Sequence, residues 1–325
     1  MQPKVSVIMP VYNAGRLFRP CVESILRQTL RDLELVMVLD CPTDGTAELA
    51  ELFAREDNRV KLVRNDRNLN IGLSRNAGLA AATGEYVGFS DHDDLMEPDM
   101  FERLYQRAEA TGADVVMCHY SERRRCEDVA YRLPACGDDD VRQQVLDPLI
   151  DAQYASPSEA SFRNVNSVWT ELIRRSVITD NGLKFPDNRV TSYEDALFNV
   201  GLFACARKAV ILPQVLYHHL LHGENAFGRY EYKSVAHMLA YADILAGILR
   251  RYGLQDSKRQ LFRTGMVRRL YTSMYNELRF KGWRSLPDFF RQVRSHAALQ
   301  QILSGLRIAG LRPTQRIFVL LCRAL

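Results

Sequence analysis

The sequence predicts an α/β protein with a doubly wound, mainly parallel sheet flanked by helices, followed by a C-terminal helical region. Three observations support this fold class. Short apolar runs alternate with segments of helical periodicity over the first 120 residues. Acidic side chains follow two of those runs, where ligands bind in such sheets. Beyond residue 230 the pattern becomes helical, and a composition of 47% hydrophobic and 25% charged residues is that of a globular protein.

The elements follow one another in a βαβα order. The predicted strands are, in chain order, VSVIMPVY, LELVMVLD, VKLVRN, EYVGFSD and DVVMCHY. Helical spacing of apolar residues between Leu17 and Thr29 predicts the first helix. Thr43 or Asp44 can cap the second, GTAELAELF, because a short polar side chain accepts hydrogen bonds from free backbone N–H groups. GLSRNAGLAAA and PDMFERLYQRAEAT complete the helices of this part, and the alternation predicts a parallel sheet.

Length and cysteine content narrow the class of protein. A chain of 325 residues is long enough for about two domains. Its seven cysteines are odd in number and form no CxxC pair, which favours reduced thiols over a disulfide framework or a zinc site. The N-terminus lacks the pattern of a signal peptide, and no apolar run approaches the ~20 residues of a membrane-spanning helix. We therefore expect a cytoplasmic protein.

Charge is distributed unevenly along the chain. Residues 230–325 hold 17 Lys and Arg against 5 Asp and Glu, a net charge of +12, whereas residues 1–229 carry −8. A basic segment on an acidic body favours attraction to an anionic membrane surface or a phosphorylated lipid, and a solvated helical face explains it equally well. The final stretch, RPTQRIFVLLCRAL, fits either a membrane interface or a helix that forms a homodimer.

An acidic cluster follows the fourth strand. Asp91, Asp93 and Asp94 stand close together, and like charges at that spacing raise one another's pKa unless a cation lies among them. Asp40 also ends a strand, so these acids can face one pocket. GxGxxG and GxxxxGK[ST] phosphate loops are absent, and an EF-hand would need Gly where Met96 stands. Carboxylates can instead ligate Mg²⁺ or Mn²⁺ together with water and the phosphates of a nucleoside diphosphate, and a solvated turn is the alternative.

Three blocks of the sequence carry a family resemblance. Residues 5–46, with VSVIMPVYNAG and LDCPTDGT, residues 70–94, with NIGLSRNAGLAAATGEYVGFSDHDD, and residues 185–198, FPDNRVTSYEDALF, closely resemble the family 2 glycosyltransferases. The order and spacing of the three blocks match as well. The resemblance implies a GT-A fold, with a Rossmann-like sheet, and covers about residues 4 to 225.

The resemblance also implies a domain organisation. Residues 1–229 would form the GT-A catalytic domain, in which residues 1–120 are the nucleotide-binding half and residues 121–229 the acceptor-binding half. Residues 230–325 would form a basic helical C-terminal region. The polar residues 121–165, with some helix around VRQQVLDPLIDAQ, read as an insertion over the sheet edge that carries acceptor binding.

The activity implied is inverting, metal-dependent transfer of a sugar from a UDP-sugar to a hydroxyl group of a growing surface glycan, such as a capsule or O-antigen, which can be lipid-linked. The cofactor implied is Mn²⁺ or Mg²⁺, and we expect no nucleic-acid partner. The implied roles are as follows: Asp195 is the general base; Pro10, Val11, Tyr12, Asp40, Arg75, Asp91 and His92 bind the donor; Asp93, Asp91 and His222 bind the metal; Glu194 and Trp169 bind the acceptor.

Several of these roles have structural alternatives. Asp195 can be an acid that a helix N-terminus favours, and Glu194, about 100° away on such a helix, can steady the loop. Arg75 can form a structural salt bridge, and Trp169 can belong to the core. Among the three histidines of this stretch, the metal contact is open; they are His218, His219 and His222, of which the family match favours His222.

Two departures from the family pattern concern the donor and the product. Leu39 replaces an acid and Cys41-Pro42 replace Gly-Ser where many members read DDGSTDGS, so the sequence leaves donor identity open. The QxxRW motif of processive members is absent, which favours single additions. The rival functions are a nucleotidyltransferase acting on a sugar phosphate and a catalytically inactive nucleotide-sugar or glycan binding protein.

Overall fold

The computed structural model describes residues 2–124, 127–131, 139–152, 167–222, 235–308 and 311–324. Their strands are β1 (Val5–Val11), β2 (Leu33–Leu39), β3 (Val60–Arg64), β4 (Tyr86–Phe89), β5 (Leu95–Met96), β6 (Val115–Arg124), β7 (Glu127–Tyr131), β8 (Glu171–Arg174) and β9 (Ala209–Leu220). Their helices are α1 (Phe18–Leu26), α2 (Thr46–Glu56), α3 (Asn70–Ala81), α4 (Met100–Thr111), α5 (Arg142–Asp151), α6 (Arg175–Asp180), α7 (Glu194–Cys205), α8 (Val235–Arg251), α9 (Arg259–Lys281), α10 (Leu286–Ser295), α11 (Ala297–Ser304) and α12 (Pro313–Ala324).

The strands form one mixed sheet in the order β3-β2-β1-β4-β8-β6-β9-β5, with β7 paired to β6. The first four strands are mutually parallel. β8 is antiparallel to both of its neighbours, so β6 runs in the same direction as β4, and β9 runs parallel to β6. The short β5 pairs antiparallel with β9. The mainly parallel sheet flanked by helices confirms the predicted fold class.

The five predicted strands correspond to β1, β2, β3, β4 and β6, and the four predicted helices to α1 through α4. Every residue of β1 is buried, which explains why its sequence is a continuous apolar run instead of an alternating one. β5, β7 and β8 were not predicted, because they are short. β5 and β8 gain their hydrogen bonds from strands that are distant in sequence, and β7 pairs with the preceding strand, β6. Within the polar residues 121–165, α5 falls where some helix was expected, and residues 132–138 and 153–166 lie outside the described residues.

The core has two apolar layers, one on each face of the sheet. Successive side chains of a strand point to opposite faces, so Val7 and Met9 pack with α1, α2 and α4, and Ile8 packs on the other face. That second layer includes α5, α7 and the C-terminal helices and extends without interruption to Cys322. A domain boundary at residue 229 therefore stays a prediction.

The predicted helical character of residues 230–325 is confirmed, with α8 through α12 among the described residues. Helix α9 packs on the C-terminal end of α5, where the buried Arg269 donates to the carbonyl oxygens of Leu149 and Ile150. These carbonyls have no partner within their own helix, so the guanidinium satisfies them. None of the described helices is both long enough and apolar enough to cross a membrane.

The carboxyl ends of the first four strands meet at one edge of the sheet. The residue that follows each of β2, β3 and β4 continues the backbone hydrogen bonding of the sheet. Asp40 N–H donates to the Val11 carbonyl, Asn65 N–H to that of Leu39, and Ser90 N–H to that of Ile8, at 2.9 to 3.0 Å. This edge, the C-terminal edge, brings the loops after β1, β2, β3 and β4 together. Asp40 and the acids after β4 therefore lie on the same edge, as predicted.

Candidate active site

The loop after β4 separates its acids by burial. Asp91 and Asp93 are partly exposed, whereas Asp94 is fully buried. The Asp94 carboxylate accepts hydrogen bonds from the Tyr217 hydroxyl at 2.7 Å and from Leu220 N–H at 2.8 Å. Burial and the nearby charges of Asp93 and Asp91 raise the pKa of Asp94 well above its usual range. Asp94 therefore anchors the loop, and Asp91 and Asp93 stay partly exposed on it.

Tyr217 on β9 ties this loop to the sheet, and sequence analysis missed it. Its hydroxyl also accepts a hydrogen bond from Asp91 N–H at 3.3 Å. Its ring stacks on Trp169 with centroids 4.3 Å apart, and Tyr120 contacts the same indole edge-on. Trp169 is buried, so the structure places it in the core beneath the loop, which is the structural alternative for this residue. The pairing of β9 with β5 sets Tyr217 opposite Met96 and so brings it to this loop.

The three histidines of β9 and its end lie in different surroundings. His222 Nε2 lies 2.9 Å from the Asp93 Oδ2 atom. His218 has Glu97 Oε1 at 2.8 Å from one ring nitrogen and Ser121 Oγ at 2.8 Å from the other. The ring of His219 lies 5.8 Å from that of Trp169. Of the three, His222 is the one whose hydrogen bond to a candidate metal ligand is observed.

The donor set suits a divalent cation only in part. Asp93 and His222 offer a hard oxygen and an imidazole nitrogen within hydrogen-bond distance, which is chemistry that Mn²⁺ accepts. Within the described ranges, no group of three or more His, Cys, Asp or Glu side chains could hold a metal ion by itself. A cation held here by Asp93 and His222 would therefore need further ligands, such as a bound diphosphate and water, to complete its shell.

A buried arginine lies between the two groups of acids. Arg75, on α3, directs Nη2 to Asp91 Oδ1 and Nη1 to Glu194 Oε1, both at 3.2 Å. Burial alone would lower the pKa of this guanidinium, and the charges of Asp91, Glu194 and Asp195 outweigh it and raise the pKa. The guanidinium also lies 5.4 Å from the centre of the Phe185 ring. One side chain therefore joins the second sequence block to the third.

Further contacts hold α3 against the loop that precedes α7. Gly72 N–H donates to Asn188 Oδ1 at 2.9 Å, and Asn76 exchanges two hydrogen bonds with the backbone of Phe185. A Cβ atom on Gly72 would lie 2.5 Å from the Pro186 carbonyl oxygen, so only glycine permits this approach. The blocks that are separated by about a hundred residues in sequence form one surface.

Glu194 and Asp195 begin α7 and face different surroundings. Glu194 is buried against Arg75, which matches the alternative that it steadies the loop. Asp195 is partly exposed, and its Oδ1 atom accepts a hydrogen bond from Ala196 N–H at 3.2 Å. Tyr193 precedes them with φ of 62°, a left-handed conformation that starts the helix abruptly. The two acids therefore differ in burial and in these contacts.

A second residue that sequence analysis missed is Glu171, at the start of β8. Its carboxyl group is fully buried, with Oε1 accepting from Asn199 Nδ2 at 3.0 Å and Oε2 without a hydrogen-bond partner. Burial, together with the charge of Asp195, raises the pKa of Glu171 well above its usual range. Asn199 lies one turn after Asp195 on α7. A buried carboxyl group with a raised pKa therefore lies behind the candidate base.

Asp40 occupies the N-terminus of α3. Its carboxylate accepts hydrogen bonds from the backbone N–H groups of Leu69 and Asn70, at 2.7 and 2.9 Å, and from Asn65 Nδ2 at 2.7 Å. Asn70 has φ of 66°. The side chain of Asp40 thus satisfies N–H groups that the first turn of a helix leaves unpaired. Its position on the C-terminal edge is as predicted, and a contact with a nucleobase stays a prediction.

The first loop contributes the remaining donor candidates. Pro10 and Val11 complete β1, and Tyr12 beyond them is 45% exposed. His92 Nδ1 lies 3.2 Å from the Pro10 carbonyl oxygen, which links the loop after β4 to the loop after β1. Asn13 accepts a hydrogen bond from Thr43 N–H at 2.7 Å. Loops after β1, β2 and β4 therefore lie beside one another on the C-terminal edge, and the space between them is called the cleft below.

Comparison with known proteins identifies the family. The family model for "Glycosyl transferase family 2" matches residues 6–153. The chain is 30% identical to the putative glycosyltransferase EpsH of Bacillus subtilis strain 168 over 292 residues, which cover 90% of this chain and 82% of that protein. The chain belongs to glycosyltransferase family 2. As a member of that family, it is a glycosyltransferase, and the predicted family is confirmed.

Two further proteins resemble this chain over nearly its whole length. The succinoglycan biosynthesis protein ExoO of Rhizobium meliloti strain 1021 is 27% identical over 317 residues, covering 95% of this chain and 80% of ExoO. A crystal structure of S. aureus TarS 1-349 in complex with UDP-GlcNAc superimposes with a TM-score of 0.76 at 20% identity, covering 99% of this chain and 87% of that one. The second likeness concerns the fold, and it confirms the predicted GT-A arrangement with its C-terminal helices.

Proposed function

We propose that this family 2 enzyme transfers a sugar from a UDP-sugar to a hydroxyl group of a growing surface glycan, with inversion and with the help of a divalent cation. One observation carries the proposal: Arg75 contacts both Asp91 and Glu194, so the loop that would hold the donor and the helix that would hold the base lie within one side chain of each other. An inverting transfer needs this arrangement, because the acceptor attacks the sugar on the face opposite the leaving group.

In this proposal Asp195 is the general base. Its carboxylate is partly exposed beside the cleft, whereas Glu194 is held by Arg75. A carboxylate can take the proton of an acceptor hydroxyl as the new glycosidic bond forms. Glu171 lies behind it, and the raised pKa of Glu171 favours its protonated form, which would keep a second negative charge away from the base.

Asp93, His222 and Asp91 are the proposed metal ligands. The 2.9 Å contact between Asp93 and His222 supports their joint role. When bound, Mn²⁺ or Mg²⁺ would offset the negative charge that gathers on the departing UDP. Arg75 would add a fixed positive charge beside Asp91, at a site that excludes water on one side.

The donor pocket is proposed to lie between the loops after β1, β2 and β4. A UDP-sugar is supported by the fold likeness to TarS, which was crystallised with UDP-GlcNAc. Tyr12 is the exposed aromatic of this cleft, and Asp40, with His92 and the Pro10–Val11 backbone, lines it. Three protein donors already occupy the Asp40 carboxylate, which leaves about one of its four lone-pair sites for the N3–H group of uracil.

The acceptor is proposed to be a hydroxyl of a surface glycan precursor, which can be lipid-linked. The likeness to ExoO, whose name assigns it to succinoglycan biosynthesis, supports this choice. Residues 121–229 would supply the acceptor side, with Glu194 shaping it through Arg75 and Trp169 supporting it from the core. An anionic membrane surface or a second copy of the chain are the two proposed partners of the basic region 230–325.

Release of the nucleoside diphosphate from a panel of sugar donors, UDP from UDP-sugars and GDP from GDP-sugars, tests the proposal. We expect Mn²⁺-dependent release from one UDP-sugar, an activity lost in Asp93→Ala, and a loss of about 10²–10⁴-fold in turnover in Asp195→Asn. Calorimetry should show that UDP binding needs the metal and Asp93 but not Asp195.

The control is Asp243→Asn, an exposed acid on α8, which should behave as wild type. Release of pyrophosphate from a nucleoside triphosphate and a sugar phosphate would identify a nucleotidyltransferase instead. Metal-dependent donor binding without turnover on any glycan acceptor would identify an inactive binding protein. Binding that ignores both the metal and Asp93 would overturn the metal assignment.

A further inference from the structure

Exposed apolar side chains concentrate in the C-terminal helices. Among the described residues, ten large apolar side chains are exposed, and seven of them fall between residues 275 and 321. Four belong to the end of α9 and the turn that follows it: Tyr275 at 57% exposure, Leu278 at 41%, Phe280 at 47% and Trp283 at 70%. Trp at that exposure is uncommon in a protein with no partner, because its burial removes a large apolar area from water.

Two arginines are interleaved with these side chains. Arg279 lies over the Phe280 ring and Arg284 over the Trp283 ring, each 5.6 Å from the ring centre. In the described parts of the chain, neither guanidinium has a carboxylate within salt-bridge distance. Lys281, between them, lies 3.5 Å from the Glu277 carboxylate. Tyr275, Leu278, Arg279, Phe280, Trp283 and Arg284 are called the aromatic-basic corner below.

Several other basic residues of this region have partners within the described parts of the chain. Arg268 and Arg269 bind the end of α5. Arg263 binds the Gly305 carbonyl oxygen, Lys258 pairs with Asp147, and Arg291 pairs with Asp288. Part of the net charge of +12 is therefore held in contacts within the protein. The corner is a place where two arginines with no carboxylate partner among the described residues lie beside exposed apolar side chains.

A groove runs beside the corner. It has a volume of about 460 Å³, and its lining consists of Trp283, Leu286, Pro287, Phe290, Arg291 and Arg294. Apolar and cationic side chains together suit an amphiphile with an anionic head, which an anionic phospholipid provides. Aromatic rings with a polar edge are also the side chains that favour the boundary between headgroups and acyl chains.

From these observations we infer that the aromatic-basic corner is the surface on which the enzyme docks onto an anionic phospholipid bilayer. The exposed rings insert at the level of the headgroups, and Arg279 and Arg284 contact the lipid phosphates. A second copy is the weaker occupant, because a symmetric contact would bring these same unneutralised arginines against each other. The inference rests on the proposed function only in so far as a lipid-linked acceptor gives the contact a purpose.

The chain carries its own reporter for this contact. It has two tryptophans, of which Trp169 is buried and Trp283 is exposed. A shift of tryptophan emission to shorter wavelength on adding vesicles therefore reports transfer of Trp283 into an apolar environment. The variant Trp283→Phe should lose that shift and still sediment with the vesicles.

The deciding experiment compares sedimentation of the full chain with vesicles of phosphatidylcholine alone and of phosphatidylcholine with phosphatidylglycerol. We expect binding to the anionic vesicles only, weakened at high salt. Loss of two positive charges at the surface should lower the partition coefficient about 25-fold, so Arg279→Glu/Arg284→Glu should lower it by at least that factor. Phe280→Ser/Trp283→Ser should lower it as well.

The matched control is Arg31→Glu/Arg55→Glu, which changes the charge equally at exposed positions of α2 and the loop before β2. It should bind as wild type does. Equal loss in both charge variants, equal binding to neutral vesicles, or a concentration-dependent dimer that Trp283→Ser abolishes would overturn the inference.

UDP release separates this inference from the proposed function. The corner lies outside the cleft, so Arg279→Glu/Arg284→Glu should release UDP at the wild-type rate. A variant that binds no vesicles but releases UDP at the wild-type rate supports a corner that serves docking and takes no part in catalysis. A wild type that binds vesicles but never releases UDP counts against the function and leaves the docking inference standing.

Discussion

Two pairs of adjacent acids on the C-terminal edge differ in how the buried member is accommodated. In both pairs one acid is buried and its neighbour partly exposed: Asp94 beside Asp93, and Glu194 beside Asp195. Asp94 is held by a hydroxyl and a backbone N–H group, and its pKa is raised. Glu194 is held by the buried guanidinium of Arg75. Neutral donors anchor one acid, and a full positive charge anchors the other.

The difference has a functional meaning. The Tyr217 hydroxyl and the Leu220 N–H group hold Asp94 and fix the loop, and they add no charge beside the acids that would bind a cation. Arg75, by contrast, carries a charge that reaches both Asp91 and Glu194, so it offsets part of the repulsion among the acids of the cleft. The first two predictions below each remove one of these anchors, and the third tests Glu171, the acid behind Asp195. They run from the largest expected effect to the smallest.

Replacing Arg75 by methionine removes the charged anchor. The buried Glu194 would lose its counter-charge, and removing one partner of a buried pair costs about 3–5 kcal/mol of the free energy of unfolding. Urea unfolding measures the loss, and calorimetry should show weaker UDP binding.

A second substitution, Glu194→Gln on the Arg75→Met background, should restore part of that stability because it removes the unpaired charge. Arg55→Met, at an exposed position, is the control. A cost below about 1 kcal/mol for Arg75→Met would mean that the salt bridges contribute no more than surface pairs do.

Replacing Tyr217 by phenylalanine removes the neutral anchor. Asp94 and Asp91 N–H would each lose one hydrogen bond at a buried site, which costs about 1–3 kcal/mol. The loop would keep its stacking on Trp169, so we expect a fully folded protein with a raised KM for the donor. Tyr275→Phe, on the exposed face of α9, serves as the matched control. An unchanged KM would show that Tyr217 stabilises the core without positioning the loop.

Replacing Glu171 by glutamine tests the buried acid with a raised pKa behind Asp195. Its pKa is raised in the folded protein, so the wild type loses stability as pH rises from the unfolded-state pKa through the folded one. Glutamine has no proton to lose, so Glu171→Gln should be more stable than wild type at pH 7 and equal near pH 4. Each unit of pKa shift corresponds to about 1.4 kcal/mol.

Thermal unfolding from pH 4 to pH 8 measures this difference. The matched control is Glu48→Gln, an acid in the first turn of α2, which should show no such trend. A stability difference that does not change with pH would mean that Glu171 is ionised in the folded protein.

Much of the fold follows from local sequence pattern. The apolar runs of β1, β2 and β4 and the helical spacing in α1 through α4 gave elements at the predicted places, because propensity and periodicity act over a few residues. β5 and β8 escaped prediction, since strands of two and four residues form only where a distant partner completes their hydrogen bonds.

The candidate site divides along the same line. Asp91, Asp93 and Asp195 were predicted from three sequence blocks, and the structure brings the blocks together on one edge. Tyr217 and Glu171 were not predicted, because neither an isolated tyrosine within a strand nor a single glutamate at the start of a strand carries a signal in the sequence. Their surroundings come from strands β9 and β8, which join the sheet through long-range pairing.

The sequence by itself determined the α/β fold class, the order of the elements, the family and the residue types at the ends of the strands. Only the tertiary structure decided which of two adjacent acids is buried and which histidine meets Asp93. It also decided that Arg75 links Asp91 to Glu194, which lies 119 positions after Arg75 in the chain. The physical reason is that propensity and capping act between neighbours in sequence, whereas burial and charge pairing depend on which helices pack together. Here the close packing of α3 at Gly72 against the loop before α7 makes that choice.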